Sequence, residues 1–174
     1  MLLSTLMLLA ATASAAPLPN TPVPALDLAR YEGRWHEVAR LPMYFQRKCE
    51  ADGTATYTRQ PDGNITVDNA CRTKDGKTQR ALGEARPVPG KPGALEVRFG
   101  PEWLSWIPAV WADYWVVDLD PDYRWAVVGG PDRDAMWILS RTPALDKATF
   151  DDIRNRAKRR GYPVAELLIS PDVK

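Results

Sequence analysis

The stretch Tyr31-Glu32-Gly33-Arg34-Trp35-His36-Glu37-Val38-Ala39-Arg40 carries the strongest structural signal in the chain. Gly33 permits a tight backbone turn into an extended segment, because glycine has no Cβ and accepts positive φ. Side chains of a strand point alternately to opposite faces, so an inward Trp35 would bring Glu37 and Ala39 to the same interior face. The stretch therefore predicts a first strand that begins just after a tight turn and contributes a large aromatic side chain to a core.

The segments that follow alternate apolar and polar residues and are separated by Gly, Pro and Asp turns, which is typical of short antiparallel strands. The predicted strands are Arg34–Leu41, Ala51–Arg59, Asn64–Ala70, Thr78–Pro87, Ala94–Phe99, Asp113–Asp118, Arg124–Gly129 and Ala135–Ser140. Eight strands suffice to close a barrel whose interior holds one small ligand. We therefore predict an all-β fold, an eight-stranded antiparallel up-and-down barrel.

One segment departs from this pattern. Between Asp146 and Arg160, the apolar residues Phe150, Ile153 and Ala157 recur at helical spacing. The segment opens with an aspartate suited to capping and ends with a basic run and a glycine, which are helix start and stop signals. We predict one amphipathic helix packed outside the barrel, with Val164–Ile169 as a last short edge strand.

The charge balance and the residue types exclude several classes of function. Lys and Arg number 23 and Asp and Glu number 22, for a formal net charge of +1, so there is no electrostatic footprint for nucleic acid. The chain has one histidine, His36, which strand alternation places outside the interior. No Gly-x-Ser-x-Gly or Cys-x-x-Cys motif occurs. We expect no catalytic residues, no metal site and no cofactor, and hence a protein that is not an enzyme.

The N-terminal region has the composition of an export signal. Residues 1–15 are apolar and end in Ala13-Ser14-Ala15, a small-x-small pattern, which predicts a signal peptide cleaved after that triplet. The Pro-rich residues 16–27 are expected to form an extended leader, followed by one domain over residues 28–170. No cysteine precedes Cys49, so we expect no lipid-attachment cysteine. The mature protein is expected to be periplasmic and soluble, with peripheral association with the outer membrane left open.

The two cysteines are informative if the protein is exported, because an oxidising compartment favours disulfides. Cys49 and Cys71 flank the turn Gln60-Pro61-Asp62-Gly63-Asn64. If that turn joins two antiparallel strands, the cysteines lie nearly opposite each other at the open end of the hairpin. A bridge there would contribute roughly 3 kcal/mol on the chain-entropy account. We predict a Cys49–Cys71 disulfide, and two buried free thiols are the alternative.

The stretch around Gly33 and Trp35 resembles the Gly-x-Trp opening of the lipocalins. Its Tyr-x-Gly-x-Trp-x-Glu-x-Ala-Arg form is similar to the branch of bacterial lipocalins and apolipoprotein D, with His36 where that branch usually has tyrosine. Two further segments resemble the second and third motifs of the family, namely Val117-Asp118-Leu119-Asp120-Pro121-Asp122-Tyr123 and Trp137-Ile138-Leu139-Ser140-Arg141-Thr142-Pro143. The resemblance covers roughly residues 28–170.

The resemblance implies particular structural roles for these motifs. Trp35 is expected to close one end of the barrel, and Arg141 is expected to lie over its indole. Such a cation–π contact is worth about 0.5–2 kcal/mol, depending on desolvation. Asp120 and Tyr123 are expected in a hairpin turn between two strands.

Strand alternation combined with the resemblance predicts the residues that contact a ligand. The expected interior-facing set is Trp137, Leu139, Tyr114, Val116, Ala39 and Glu37. The family resemblance implies a carrier of a small hydrophobic ligand of the fatty acid or lysophospholipid class, in storage or transport for maintenance of the cell envelope. A carboxylate inside a barrel must be hydrogen-bonded or protonated. Glu37 therefore has two interpretations, an anchor for a polar head group or a link to a neighbouring Arg or Tyr near the base.

The Trp-rich loop over residues 100–111 leaves other functions open. It could act as a lid, touch a membrane transiently, or form a homodimer or other interaction surface. It could also fold its aromatic side chains back onto the barrel rim. An interaction module that uses this loop is therefore the first alternative to a carrier, and a lipocalin-type isomerase is the second.

Overall fold

The fold is a closed antiparallel barrel. The computed structural model describes residues 15–100 and 107–174. Its strands are β1 (Gly33–Arg40), β2 (Cys49–Arg59), β3 (Ile65–Thr73), β4 (Thr78–Pro87), β5 (Ala94–Arg98), β6 (Ala112–Leu119), β7 (Trp125–Gly129), β8 (Met136–Ser140) and β9 (Leu168–Ile169). Strands β1 to β8 pair in chain order, and β1 pairs with both β2 and β8, which closes the barrel. The predicted eight-stranded barrel is confirmed.

The ninth strand pairs with the part of β1 that β2 does not reach. β2 pairs with β1 only from Gly33 to His36, and β9 pairs with β1 at Ala39 and Arg40. The predicted edge strand Val164–Ile169 is thus shorter than expected. Its first half instead forms a 3-10 turn over Val164–Glu166 that follows Pro163.

Two helices flank the barrel. α1 (Leu28–Tyr31) is a single turn capped by the carboxylate of Asp27, which accepts from the amides of Ala29 and Arg30. α2 (Lys147–Arg159) is the predicted amphipathic helix. Its cap residue Asp146 accepts from the Thr149 amide at 2.9 Å, an arrangement that satisfies a free N–H of the first turn. Because α1 leads directly into β1, it holds the closed end of the barrel.

The apolar side chains form two separate cores. The inner core lies inside the barrel and includes Trp35, Val67, Leu95 and Ala126. The outer core lies between the barrel wall and α2, where the buried helix residues are Phe150, Ile153 and Ala157. The outer core also includes Val38, Val117, Val127, Ile138 and Tyr162. Strand β7 contributes alternate residues to the inner and outer cores. All of its residues are therefore buried.

The described chain before α1 forms no helix or strand, and its Val23 and Leu26 pack against the inner core. The Leu18 amide donates to the carbonyl of Arg159 at 2.9 Å, and the Val23 amide donates to the carbonyl of Val116 at 2.8 Å. Residues 1–14 lie outside the described residues, so the signal peptide stays a prediction. Among the described residues, no helix is long and apolar enough to cross a membrane.

The predicted disulfide is confirmed. Cys49 and Cys71 are bonded, with their Cα atoms 5.5 Å apart. Cys49 lies opposite Thr73 in the β2–β3 ladder, and register shifts interrupt that ladder between Cys49 and Thr54. The bridge therefore ties together the two strand ends at the point where their regular pairing is interrupted.

Candidate ligand-binding site

One end of the barrel is closed by a clamp built on Trp35 and Arg141. The guanidinium carbon of Arg141 lies 3.8 Å from the centroid of the Trp35 ring, the contact that the sequence motifs imply. The same guanidinium donates to the carbonyl oxygens of Arg30, Glu32 and Arg34 at 2.6, 3.0 and 3.0 Å. Burial lowers the pKa of the Arg141 guanidinium from its usual value. This end of the barrel is therefore closed by hydrogen bonds to backbone carbonyls.

The β6–β7 turn supports the same end. The Asp120 carboxylate accepts from the amides of Asp122 and Arg124, each at 3.1 Å, and from the Arg124 guanidinium at 2.8 Å. The hydrogen bonds from Arg124 are the main cause that lowers the pKa of this carboxyl. Tyr123 has a φ of 59°, and its hydroxyl accepts from the Asp27 amide at 2.8 Å. Asp120 and Tyr123 thus fix the turn and attach it to the segment before α1.

The structure places three of the predicted ligand-contact residues deep in the inner core. These are Tyr114, Val116 and Leu139. Trp137 is partly buried and packs against the same core. Their side chains line the barrel interior on β6 and β8, as strand alternation predicts.

The prediction that Ala39 faces the interior is wrong. Ala39 lies in the outer core, beside Val38 and against the helix side. The ladder between β1 and β8 shifts register between Glu37 and Ala39, so that Ala39 lies opposite Ile138, which also belongs to the outer core. A bulge adds one residue to a strand and reverses the facing of every residue after it. Arg40 consequently takes the position opposite Trp137.

A polar network occupies the interior toward the open end. Glu37 accepts from the Arg40 guanidinium at 2.7 Å and from the Gln46 side-chain amide at 2.9 Å. The Trp137 indole donates to the side-chain Oε1 of Gln46 at 2.9 Å, and Arg40 donates to the backbone carbonyl of Cys49 at 3.1 Å. Glu37 therefore has an arginine partner, but toward the open end and not near the base as expected. The Arg40 Nε is buried without a hydrogen-bond partner among the described residues.

Three tyrosine hydroxyls meet in the inner core, and sequence analysis did not single out two of them. Tyr114 lies 2.7 Å from the Tyr31 hydroxyl and 2.8 Å from the Tyr57 hydroxyl. Burial raises the pKa of Tyr57 to about 12 and raises those of Tyr31 and Tyr114 well above the usual value. We name this group the tyrosine trio. Alternation with Ala55 could have identified Tyr57, but Tyr31 lies on a short helix that strand patterns do not predict.

The wall formed by β2, β3 and β4 carries small side chains. Asn69 lies opposite Ala55 on one side and Ala81 on the other, and Ala55 belongs to the inner core. Along β4, Ala85 is buried, Gly83 is half-buried and Ala81 is exposed. These three residues of β4 share one face, and their exposure rises along the strand away from the inner core. A Cβ added at Gly83 would lie 2.7 Å from the Phe99 ring, so Phe99 packs against this glycine.

The Trp-rich loop is only partly described. Residues 101–106, with two of its tryptophans, lie outside the described residues. Trp111 lies against the barrel wall, where its ring centroid is 4.0 Å from the guanidinium carbon of Arg86 and 5.3 Å from that of Arg98. Among the described residues, no group of His, Cys, Asp and Glu side chains has the arrangement of a metal site.

Sequence comparisons point to one family. The lipocalin-like domain family matches residues 26–172. Temperature-induced lipocalin-1 of Arabidopsis thaliana is 40% identical over 152 residues, which cover 86% of this chain and 81% of the relative. The outer membrane lipoprotein Blc of Escherichia coli (strain K12) is 36% identical over 166 residues, covering 93% of this chain and 88% of the relative. Apolipoprotein D of Cavia porcellus is 31% identical over 147 residues, which cover 79% of this chain and 72% of the relative.

Solved structures show the same fold. Insecticyanin from the tobacco hornworm Manduca sexta superposes with a TM-score of 0.66 at 23% identity, covering 90% of this chain and 85% of that one. The cockroach allergen Per a 4 superposes with a TM-score of 0.67 at 18% identity, covering 89% and 94%. At these identities the likeness concerns the barrel and its connections and says nothing about the bound molecule.

Proposed function

The chain belongs to the lipocalin family, whose members typically bind and carry small hydrophobic molecules, and we propose that it carries a single lipid of the fatty acid or lysophospholipid class inside its barrel. The observation that carries the proposal is the apolar interior, closed at one end by Trp35 and Arg141 and leading to the polar network of Glu37 and Arg40 at the other. An acyl chain fits the closed apolar end, and a polar head group fits the end where charged side chains lie.

The polar network offers direct contacts to such a head group. Arg40 keeps one buried nitrogen, Nε, without a partner among the described residues. A carboxylate or phosphate oxygen forms strong, charge-assisted hydrogen bonds with a guanidinium. Trp137 lies opposite Arg40 and Leu139 lies opposite Glu37, and both pack in or against the inner core that continues toward the closed end. We therefore assign Arg40 to the head group, and Trp137, Leu139, Tyr114 and Val116 to the acyl chain.

The proposed role is storage or transport of that lipid, without chemistry, in an exported protein that serves the cell envelope. The Cys49–Cys71 disulfide suits an oxidising compartment, and one relative is named an outer membrane lipoprotein. Neither thiol is available as a nucleophile, because both are in the disulfide. Glu37, the acidic group nearest the interior, is tied to Arg40 and Gln46. These contacts support a carrier and not an isomerase.

The test combines extraction and titration. Native mass spectrometry of the purified protein should show one bound lipid, and organic extraction should recover it chemically unchanged. After removal of lipid, titration with oleate or a lysophospholipid should change the tryptophan fluorescence, because Trp137 lies beside the proposed acyl chain.

The Trp137→Phe variant should lose most of that fluorescence change. The matched control is Trp115→Phe, since Trp115 packs against the outer core and should leave the response as in the parent. If Trp137→Phe responds like the parent and substitutions in the 100–111 loop abolish the signal, the ligand lies at the loop and the interaction-module alternative is favoured.

A further inference from the structure

The tyrosine trio has more hydroxyl hydrogens than its internal hydrogen bonds require. Each hydroxyl carries one hydrogen, and the trio forms two hydrogen bonds, both of which involve the Tyr114 hydroxyl, with either partner able to donate. Two hydrogen bonds use two of the three hydrogens. Whichever partners donate, one O–H of the trio is left without an acceptor among the described residues. Burying an unsatisfied donor is costly, and the position therefore suits an external oxygen.

The trio lies at the deep end of the barrel. The Tyr31 ring lies 5.0 Å from the Trp35 ring that closes the base, and the Tyr57 ring lies 5.4 Å from the Tyr31 ring. Tyr57 also pairs across the strands with Gly33, the first residue of β1. A carried molecule whose head group lies at Arg40 would bring its far end to this point.

The surroundings of the trio favour an uncharged oxygen. The nearby cation, Arg141, already donates to the carbonyls of Arg30, Glu32 and Arg34. The negative charge of Glu37 acts on Tyr57 and adds to the rise of its pKa. The three hydroxyls are therefore protonated at neutral pH, and they are neutral donors. A carboxylate at this depth would lack a counter-charge, whereas a carbonyl or hydroxyl oxygen would not need one.

We propose that the tyrosine trio is a second polar subsite, which binds a carbonyl or hydroxyl oxygen in the distal part of the carried chain. The preferred cargo is thus an oxygenated acyl lipid, such as an oxo or hydroxy fatty acid, and not a plain saturated one. This inference rests on the proposed carrier function and specifies its ligand class.

Paired ligands test the proposal on the intact protein. Stearate is compared with an oxostearate whose carbonyl lies in the half of the chain far from the carboxylate, by calorimetric titration of protein freed of lipid. One additional hydrogen bond should make the oxostearate bind roughly tenfold more tightly. If both bind equally, the subsite is overturned and the carrier function stands. If neither binds, the carrier function itself fails.

A spectroscopic measurement tests the contact directly. The infrared stretch of a carbon-13-labelled chain carbonyl should lie at lower frequency in the complex than in a hydrocarbon solvent, because hydrogen bonding weakens the C=O bond. An unshifted band would contradict the assignment. This readout needs no variant, so it decides the question even if substitutions in the trio impair folding.

Substitutions then locate the donor. Replacing all three tyrosines of the trio by phenylalanine should abolish both the preference for oxostearate over stearate and the frequency shift. The matched control is Tyr44→Phe, since Tyr44 is 78% exposed and should change neither quantity. A preference that survives in the triple variant would rule the trio out as the subsite.

Discussion

At the scale of single residues, Arg141 has a structural and not a ligand-binding role. It covers Trp35 at 3.8 Å and bonds to carbonyl oxygens at the start of β1, far along the strand from Arg40. Arg141→Ala should lower the free energy of unfolding by about 1–2 kcal/mol through loss of the cation–π contact. Lipid affinity should stay nearly unchanged. Thermal unfolding and fluorescence titration measure the two effects.

Arg59→Ala is the control for this substitution. Arg59 forms an ion pair with Glu32 at 2.8 Å, but half of its side chain is exposed, and exposed pairs contribute little. Its unfolding temperature should remain close to that of the parent. An unchanged unfolding temperature in Arg141→Ala, together with a collapse of lipid affinity, would show that Arg141 belongs to the binding site instead.

Asp120 gives a prediction on pH dependence. Its hydrogen bonds from Arg124 lower the pKa of the carboxyl in the folded protein. The stabilisation is therefore fully present above the unfolded value of about 3.9, and it is lost as the pH falls through the lower folded value. Asp120→Asn should be less stable than the parent at neutral pH, and the difference should shrink in acid.

Urea unfolding at a series of pH values measures this difference. Asp122→Asn is the control, because Asp122 is exposed in the same turn and contributes its backbone amide, not its carboxylate, to Asp120. A stability difference between Asp120→Asn and the parent that stays constant down to acid pH would refute the linkage.

At the scale of elements, the β2–β3 hairpin depends on its cross-link. Regular pairing is interrupted between Cys49 and Thr54, and the disulfide closes a loop with a sequence separation of 22 residues. Replacing both cysteines by serine should cost roughly 3 kcal/mol of stability on the chain-entropy account. Thermal unfolding of the double variant against the oxidised parent measures the cost.

Thiol titration provides an independent check on the same element. Oxidised protein unfolded in guanidinium should show no reactive thiol, and reduced protein should show both. Two reactive thiols in the oxidised sample would mean that the bridge is absent in solution. An unfolding temperature that is the same in the serine variant and the parent would mean that the bridge is present without stabilising the hairpin.

At the scale of the whole molecule, the two ends of the barrel differ in chemistry. The closed end is held by hydrogen bonds around Arg141, whereas the open end exposes Tyr44 and Phe45, which are 78% and 63% exposed. The basic residues of this end line a groove and comprise Arg47, Lys48, Lys74 and Lys77, with Asp75 among them. Exposed aromatic rings beside several cations suit the interface of an anionic lipid bilayer. We propose that the protein exchanges its lipid while its open end touches such a surface.

Vesicle sedimentation tests this contact. The protein should sediment with vesicles that contain phosphatidylglycerol, less so with pure phosphatidylcholine, and binding should weaken with salt. Replacing Tyr44 and Phe45 by serine should abolish it. Leu82→Ser is the matched control, because Leu82 is 68% exposed but lies on β4 and does not line the basic groove. Equal sedimentation of the aromatic variant and the parent would exclude this contact surface.

Sequence patterns were sufficient to predict the strand order, the outer helix and the disulfide, because these depend on local features of the chain. Alternation, turn residues and capping signals act within a few positions, and the resemblance of the first and third motifs implied that Trp35 and Arg141 meet at the closed end. The interior facing of Tyr114, Val116 and Leu139 followed in the same way. Strand parity was sufficient wherever the ladder is regular.

Two polar groups of the interior, the network of Glu37 and Arg40 and the tyrosine trio, could be identified only from the tertiary structure. The bulge after Glu37 moved Ala39 to the outer core and brought Arg40 opposite Trp137, since parity reverses where one strand gains a residue. The tyrosine trio joins hydroxyls that are 83 and 57 residues apart in the chain. Contacts of that range exist only once the barrel closes, because the distance between two inward side chains depends on the curvature and stagger of all the strands between them.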